Sequence, residues 1–143
     1  MGKKVTRNTS RVQLNDSFKI KSIQVKKFNF EQTAELGNEE KIDLEQSIGA
    51  IAKEIKNGYI VQANIDIYFR QNKNEIFTIE SIIIGIIEVQ DNFNTDFLNN
   101  MVAMLYSYLR PLAAQMTTMA KLPPLDLPPL NFEKFKVKIE KED

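Results

Sequence analysis

Four prolines fall within the eleven residues Leu122-Pro123-Pro124-Leu125-Asp126-Leu127-Pro128-Pro129-Leu130-Asn131-Phe132. No other stretch of the chain restricts its own conformation so tightly. Proline has no amide hydrogen to give to a helix or a central strand, and it pushes the residue before it into extended geometry. The segment is therefore expected to be a semi-rigid extended arm. It also carries Leu122, Leu125, Leu127, Leu130 and Phe132, more apolar surface than a solvated linker needs. Directly before it, residues 97–120 form an amphipathic run holding four of the five methionines: Met101, Met104, Met116 and Met119. Methionine is unbranched and polarizable, so an apolar arm beside a methionine-bearing helix can build a groove for varied ligands. The same methionines also suit plain core filling, and the same leucines suit a strap over a sheet.

Upstream, the spacing predicts four strands. In residues 18–30, Ile23 and Val25 share one face, while Phe18, Ile20, Phe28 and Phe30 share the other, with a bulge or strong twist between them. Ile42, Leu44, Ile48, Ala50 and Ala52 alternate on a second strand. Asn57-Gly58 signals a tight turn. Tyr59, Val61, Ala63, Ile65, Ile67 and Phe69 then alternate with polar residues, and residues 71–74 form a second hairpin turn. The fourth strand, residues 76–89, is apolar on both faces at residues 82–87 and needs cover on both sides or a partner chain.

Asn94, Thr95 or Asp96 can cap the helix that follows. Its apolar positions form two stripes: Phe97, Met101, Met104, Tyr108 and Leu112, and then Leu98, Val102, Leu105, Leu109, Ala113 and Met116. Such a helix packs on its own sheet and on another helix. Pro111 is expected to kink or restart it. Phe135 and Ile139, four residues apart, suggest a short last helix within residues 132–142. The expected fold is α+β: a four-stranded antiparallel sheet, a long helix packed on it and a short C-terminal helix. It forms one domain over residues 16–143, behind a basic disordered arm of residues 1–15.

The chain has neither cysteine nor histidine, which removes thiolate nucleophiles, Cys/His zinc sites and imidazole acid–base chemistry. No glycine-rich phosphate loop is present. Ser107, Thr117 and Thr118 lack a histidine base, and Lys121 follows a helix rather than sitting in an evident apolar pocket. Glu39, Glu40, Asp43 and Glu45 read as solvated charge rather than a metal site. Neither an enzyme nor a cofactor is expected. The apolar run at residues 82–87 is too short to span a bilayer, and the N-terminus lacks the apolar core of a signal peptide, so a cytoplasmic location is expected. Formal net charge is zero, yet residues 1–30 hold eight Lys/Arg against Asp16 alone. That arm reads as a solvated tail or as one that seeks an acidic partner. Phe18 is its only aromatic before residue 28, so nucleic-acid stacking has no support.

Three segments together resemble export chaperones of the SecB type. Leu109-Arg110-Pro111-Leu112-Ala113 is similar to that family's proline-containing turn, residues 122–132 to its arm, and Phe28-Asn29-Phe30-Glu31 to the end of its first strand. The resemblance implies a homotetramer, a dimer of dimers with helices sandwiched between sheets. It also implies an ATP-independent holdase that keeps unfolded polypeptides ready for export. On that reading Phe28, Phe30, Leu44, Met116, Met119, Leu122, Leu125, Leu127, Leu130 and Phe132 line the client groove. Met101, Met104, Leu105, Tyr108 and Leu112 form the oligomer interface. The partners implied are unfolded clients, the export motor SecA or an antitoxin. The neutral charge, the basic arm and Ala120-Lys121 in place of a glycine-containing turn depart from the secretion type. They put docking on the export motor in doubt and make a relative dedicated to one client, such as an antitoxin, the main alternative. An adaptor oligomer without a client groove is the third alternative.

Overall fold

The structure of the chain, a computed structural model, describes residues 18–37, 41–130, 132 and 135–141. The expected basic arm, Glu39 and Glu40 lie outside the described residues. Those described form strands β1 (Phe18–Gln32), β2 (Asp43–Ile55), β3 (Gly58–Gln71) and β4 (Asn74–Val89), helix α1 (Phe97–Met119) and strand β5 (Lys138–Glu140). They make one sheet in the order β1-β4-β3-β2-β5. The first four strands pair antiparallel, as their alternation and hairpin turns require.

The fifth strand is a correction. Phe135 and Ile139 suggested a last helix, but Val137 lies between them and completes a period of two with β-branched residues. The described part of the tail is extended, and Ile139 pairs in parallel with Ala52 at the free edge of β2.

The reading of β1 changes as well. Its register against β4 slips between Ile20 and Ser22 and again between Val25 and Lys27. Lys21 and Lys26 are thus the extra residues of two bulges. Two bulges, not one, bring Phe18, Ile20, Ile23, Val25, Phe28 and Phe30 onto a single face. There they stand opposite Val89, Ile87, Gly85, Ile83, Ser81 and Ile79.

That face receives the helix. Val61, Ala63, Ile65, Ile67 and Phe69 of β3 and Ile79 and Ile83 of β4 are completely buried there, with Leu98, Val102, Leu105 and Leu109 of α1. At Gly85 the helix comes so close that an added Cβ would lie 2.3 Å from the end of Met101. The opposite face of the sheet carries Ile60, Ile82, Ile84 and Ile86, half-buried, among polar neighbours.

Both hairpins are tight, for different reasons. Asn72 and Lys73 take φ of 51° and 69°, the left-handed pair that a type I′ turn demands. At the first hairpin the left-handed residue is Asn57, with φ of 64°. Gly58 is already in β3 and serves a close approach: a Cβ there would lie 1.9 Å from the Ile87 carbonyl oxygen.

The helix does not restart at Pro111 but continues through it from Phe97 to Met119. Pro111 costs one amide donor, and the surrounding packing sustains the helix across that gap. At its start the Asn94 side chain accepts a hydrogen bond from the Asp96 amide, 2.9 Å.

Candidate functional site

Four polar side chains of α1 organise the remainder of the molecule. Thr117, Arg110, Tyr106 and Asn99 are spaced by seven, four and seven residues, which returns them to one line along the helix. Each holds a successive piece of the C-terminal segment. The Thr117 hydroxyl accepts the Leu125 amide hydrogen at 2.9 Å. Arg110 Nε donates to the Leu127 carbonyl at 2.9 Å. The Tyr106 hydroxyl donates to the Pro128 carbonyl at 2.6 Å. The Asn99 side-chain oxygen accepts from the Val137 amide at 2.9 Å. The arm therefore runs back along the helix, antiparallel to it.

The reversal begins at a helix end in which the Leu122 amide bonds back to the Thr117 carbonyl at 2.9 Å, while Lys121 takes a left-handed φ of 68°. This is the geometry of a Schellman cap, with lysine where glycine is the usual residue. The prolines prevent the arm from coiling again, so its carbonyls stay free for the latches.

The arm lies on the β2 side of the helix. Gln46 of β2 donates to the Tyr106 hydroxyl at 3.3 Å, and its own buried carbonyl oxygen meets no partner among the described residues. Burial raises the pKa of Tyr106, against smaller opposing effects of the Gln46 bond and the Arg110 charge. The phenol keeps its proton and continues to donate to Pro128. The Phe132 ring lies 5.9 Å from the Tyr106 ring and 5.7 Å from that of Phe135.

Along this seam the arm and helix leave two clefts. One of about 700 Å³ lies between Asn99, Asn100 and Ala103 of α1 and Leu130, Phe132 and Phe135 of the tail. A second, of about 490 Å³, lies between Ser107, Pro111 and Ala114 and the arm residues Pro124, Leu125 and Asp126. A third, of about 430 Å³, is on the other flank of the helix and is lined by Phe28, Phe30 and Met116.

The ten expected groove residues thus occupy several places. Leu125, Leu130 and Phe132 meet the seam. Phe28, Phe30 and Met116 meet one another across the helix from it, because β1 and β2 are at opposite edges of the four antiparallel strands. Leu44 is half-buried on the helix side of β2, and Leu122 is half-buried at the helix end. Met119 is 75% exposed, whereas Leu127 is 0% exposed and belongs to the core. Of the five expected interface residues, Met101 and Leu105 are buried against the chain's own sheet. Met104 and Tyr108 remain exposed, and Leu112 is half-buried.

Nothing in the sequence alone marks the four latching side chains as a set. The signal was present as a polar line within an apolar helix, but only the arm's position gives that line a partner. Among the described residues, no group of three or more His, Cys, Asp or Glu is placed to hold a metal ion. Asp43 lies 3.8 Å from Lys41, and Glu45 pairs with Arg70.

The sheet, the single long helix and the returning arm coincide with a known family pattern. The profile of SecB, described as preprotein translocase subunit SecB, matches residues 11–141. The chain belongs to the SecB family. SecB proteins are chaperones, not enzymes. Among solved structures the chain is similar to a SecB-like chaperone of Mycobacterium tuberculosis, solved in complex with a ChAD peptide from the HigA1 antitoxin. The TM-score is 0.69 at 15% identity, over 83% of this chain and 95% of that one. It is also similar to a protein of unknown function from Streptococcus agalactiae, with a TM-score of 0.43 at 17% identity, over 78% of this chain and 96% of that one. No curated protein matches in sequence. The first of these shares the SecB fold with this chain. No helix among the described residues is long and apolar enough to cross a membrane.

Proposed function

We propose that this SecB-family chain is an ATP-independent holdase that binds extended, apolar stretches of unfolded polypeptide and keeps them competent for export from the cytoplasm. The observation that carries this reading is the juxtaposition of the arm–helix seam with the outer edge of β2. Residues 43–50 of that edge have no strand beyond them among those described. An extended client can add its backbone to an open edge whatever its sequence, while its larger side chains enter the neighbouring clefts of mixed polar and apolar lining. Leu125, Leu130, Phe132, Leu44 and Met119 are the groove residues that remain accessible for this. Phe28, Phe30 and Met116 form a second contact on the far flank. Several such sites in one oligomer hold a long client by avidity.

The test is suppression of aggregation of unrelated unfolded proteins without nucleotide. Replacing Leu125 and Leu130 together by Asp is expected to remove most of the protection while leaving the thermal transition in place. Undiminished protection by this double variant, with its fold intact, would show that the seam is not the client site.

A second reading is a chaperone dedicated to one client, such as an antitoxin. Charge-guided docking on the export motor SecA needs a coherent acidic face. Here two acids of the outer sheet face are paired with bases: Lys27 lies 3.9 Å from Glu80, and Arg70 pairs with Glu45. Asp66 and Glu88 still add negative charge, so docking is weakened rather than excluded. Asp66, beside Glu80, has its pKa raised, first by desolvation and then by that neighbouring charge. The structural neighbour's antitoxin peptide supports the same reading. Titration of the cognate motor at two salt concentrations separates the two. Weak, salt-sensitive binding is expected for a dedicated chaperone. Tight binding indifferent to salt restores the general export role.

A further inference from the structure

We infer that β5 is a resident competitor for the edge of β2, occupying part of the seat that a client backbone takes and leaving when a client arrives. The inference rests on the proposed client site and concerns its regulation.

The tail returns along the helix and ends by pairing Lys138, Ile139 and Glu140 with Ile51, Ala52 and Lys53. That stretch continues directly from the open edge at residues 43–50. Three features make the pairing easy to displace. It is the only parallel pairing among the described strands, and parallel ladders are slightly less stable per residue than antiparallel ones. It is three residues long. All three side chains are exposed, Ile139 included, so little apolar burial reinforces the backbone bonds.

The core latches of the arm are different in kind: Leu127 and Thr117 are completely buried. The arm is therefore built to stay and the tail to move. The joint between them is the Asn99 side chain, which holds the Val137 amide at 2.9 Å just ahead of β5. Phe132, Phe135 and Lys136 form the tail-side wall of the 700 Å³ cleft. Release of β5 thus frees the rest of the edge and loosens the wall of the adjoining cleft in one movement. An edge left bare would invite pairing with other chains, and a weak internal strand guards it at rest.

The experiment measures binding of a labelled, permanently unfolded client, reduced and alkylated α-lactalbumin, to the intact chain and three variants. These are a truncation after Phe135, Ile139→Pro, which puts a residue without an amide donor in the centre of β5, and Asn99→Ala, which unlatches the tail without shortening it. Each is expected to bind about three- to tenfold more tightly, since affinity rises in proportion to the fraction of molecules with a vacant seat. A synthetic peptide of residues 135–143 is expected to reduce client binding by the truncated chain. Equal or weaker binding by the variants, with binding by the intact chain preserved, overturns the inference and makes the tail part of the client surface. Failure of the intact chain and of every variant to bind overturns the client reading itself. If the truncation does not fold, Asn99→Ala and Ile139→Pro decide the matter.

Discussion

At the scale of single residues, the groups that matter most hold backbone rather than perform chemistry. Thr117 is buried, and its hydroxyl joins the Leu125 amide to the helix carbonyl of Ala113. Replacing it with Val keeps the shape and leaves the Leu125 amide unpaired. Loss of about 1–3 kcal/mol of stability is expected by denaturant titration. A loss below about 0.5 kcal/mol would mean that water satisfies the amide equally well. Lys121 bears the opposite strain, since its left-handed φ is unfavourable for a residue with a Cβ. Lys121→Gly is therefore expected to stabilise the chain by about 0.5–1 kcal/mol, unless the greater freedom of glycine in the unfolded chain cancels the relief. A lower melting temperature for this variant would show that the lysine side chain contributes something the cap geometry does not reveal. Residues of this kind were only half legible in the sequence. In the sequence Thr117 and Ser107 are hydroxyls without a histidine base, which says nothing of what they hold. Their neighbours across the arm could not be known from spacing, because those contacts join residues distant in the chain.

Elements were read more easily where a single period decides them. The alternation in β3 and the long apolar helix predicted both elements well, because burial on one face writes itself directly into the order of residues. Where two periods competed, the reading failed. In the tail, a pair of apolar residues four apart satisfies a helix and a strand alike. In β1, two extra lysines shift the phase twice, so one buried face looked like two. The turns offer a test of how far glycine matters element by element. Gly58→Ala places a Cβ 1.9 Å from the Ile87 carbonyl oxygen, against rigid backbone. It is expected to cost about 1–3 kcal/mol or more, as overpacking does. Gly49 in β2 has nothing within 4 Å of such a Cβ, so Gly49→Ala is expected to be neutral or stabilising. Parallel thermal melts of the two variants check the contrast. Similar effects would mean that strand flexibility, not space, governs both positions.

For the whole molecule, apolar surface remains that the chain's own described residues do not cover. Met104 and Tyr108 are 36% and 49% exposed on the free side of the helix, beside the half-buried inner face of β1. An apolar surface that adjoins further half-buried apolar residues is a candidate for contact with another chain. We propose a dimer of dimers built on it, and light scattering is expected to report four times the 16.5 kDa of a single chain. A stable monomer at micromolar concentration would contradict this, and Tyr108→Glu is expected to lower the assembly state. The family was legible because the arm is distinctive in sequence. The proposed client site was legible only as a pool of apolar residues, since the helix that divides them into separate clefts can be placed only with the sheet order in hand.

Two lysines, Lys21 and Lys26, keep the six inner side chains of β1 in phase with the sheet. Deleting Lys21 would turn Phe18 and Ile20 outward, and deleting Lys26 would invert a longer part of the strand. Such a deletion removes only an exposed, charged residue, the kind of loss a surface ordinarily tolerates. Along this strand, then, inheritance can vary the kind of residue far more freely than the number. A gap of one codon here does the damage of several core substitutions at once.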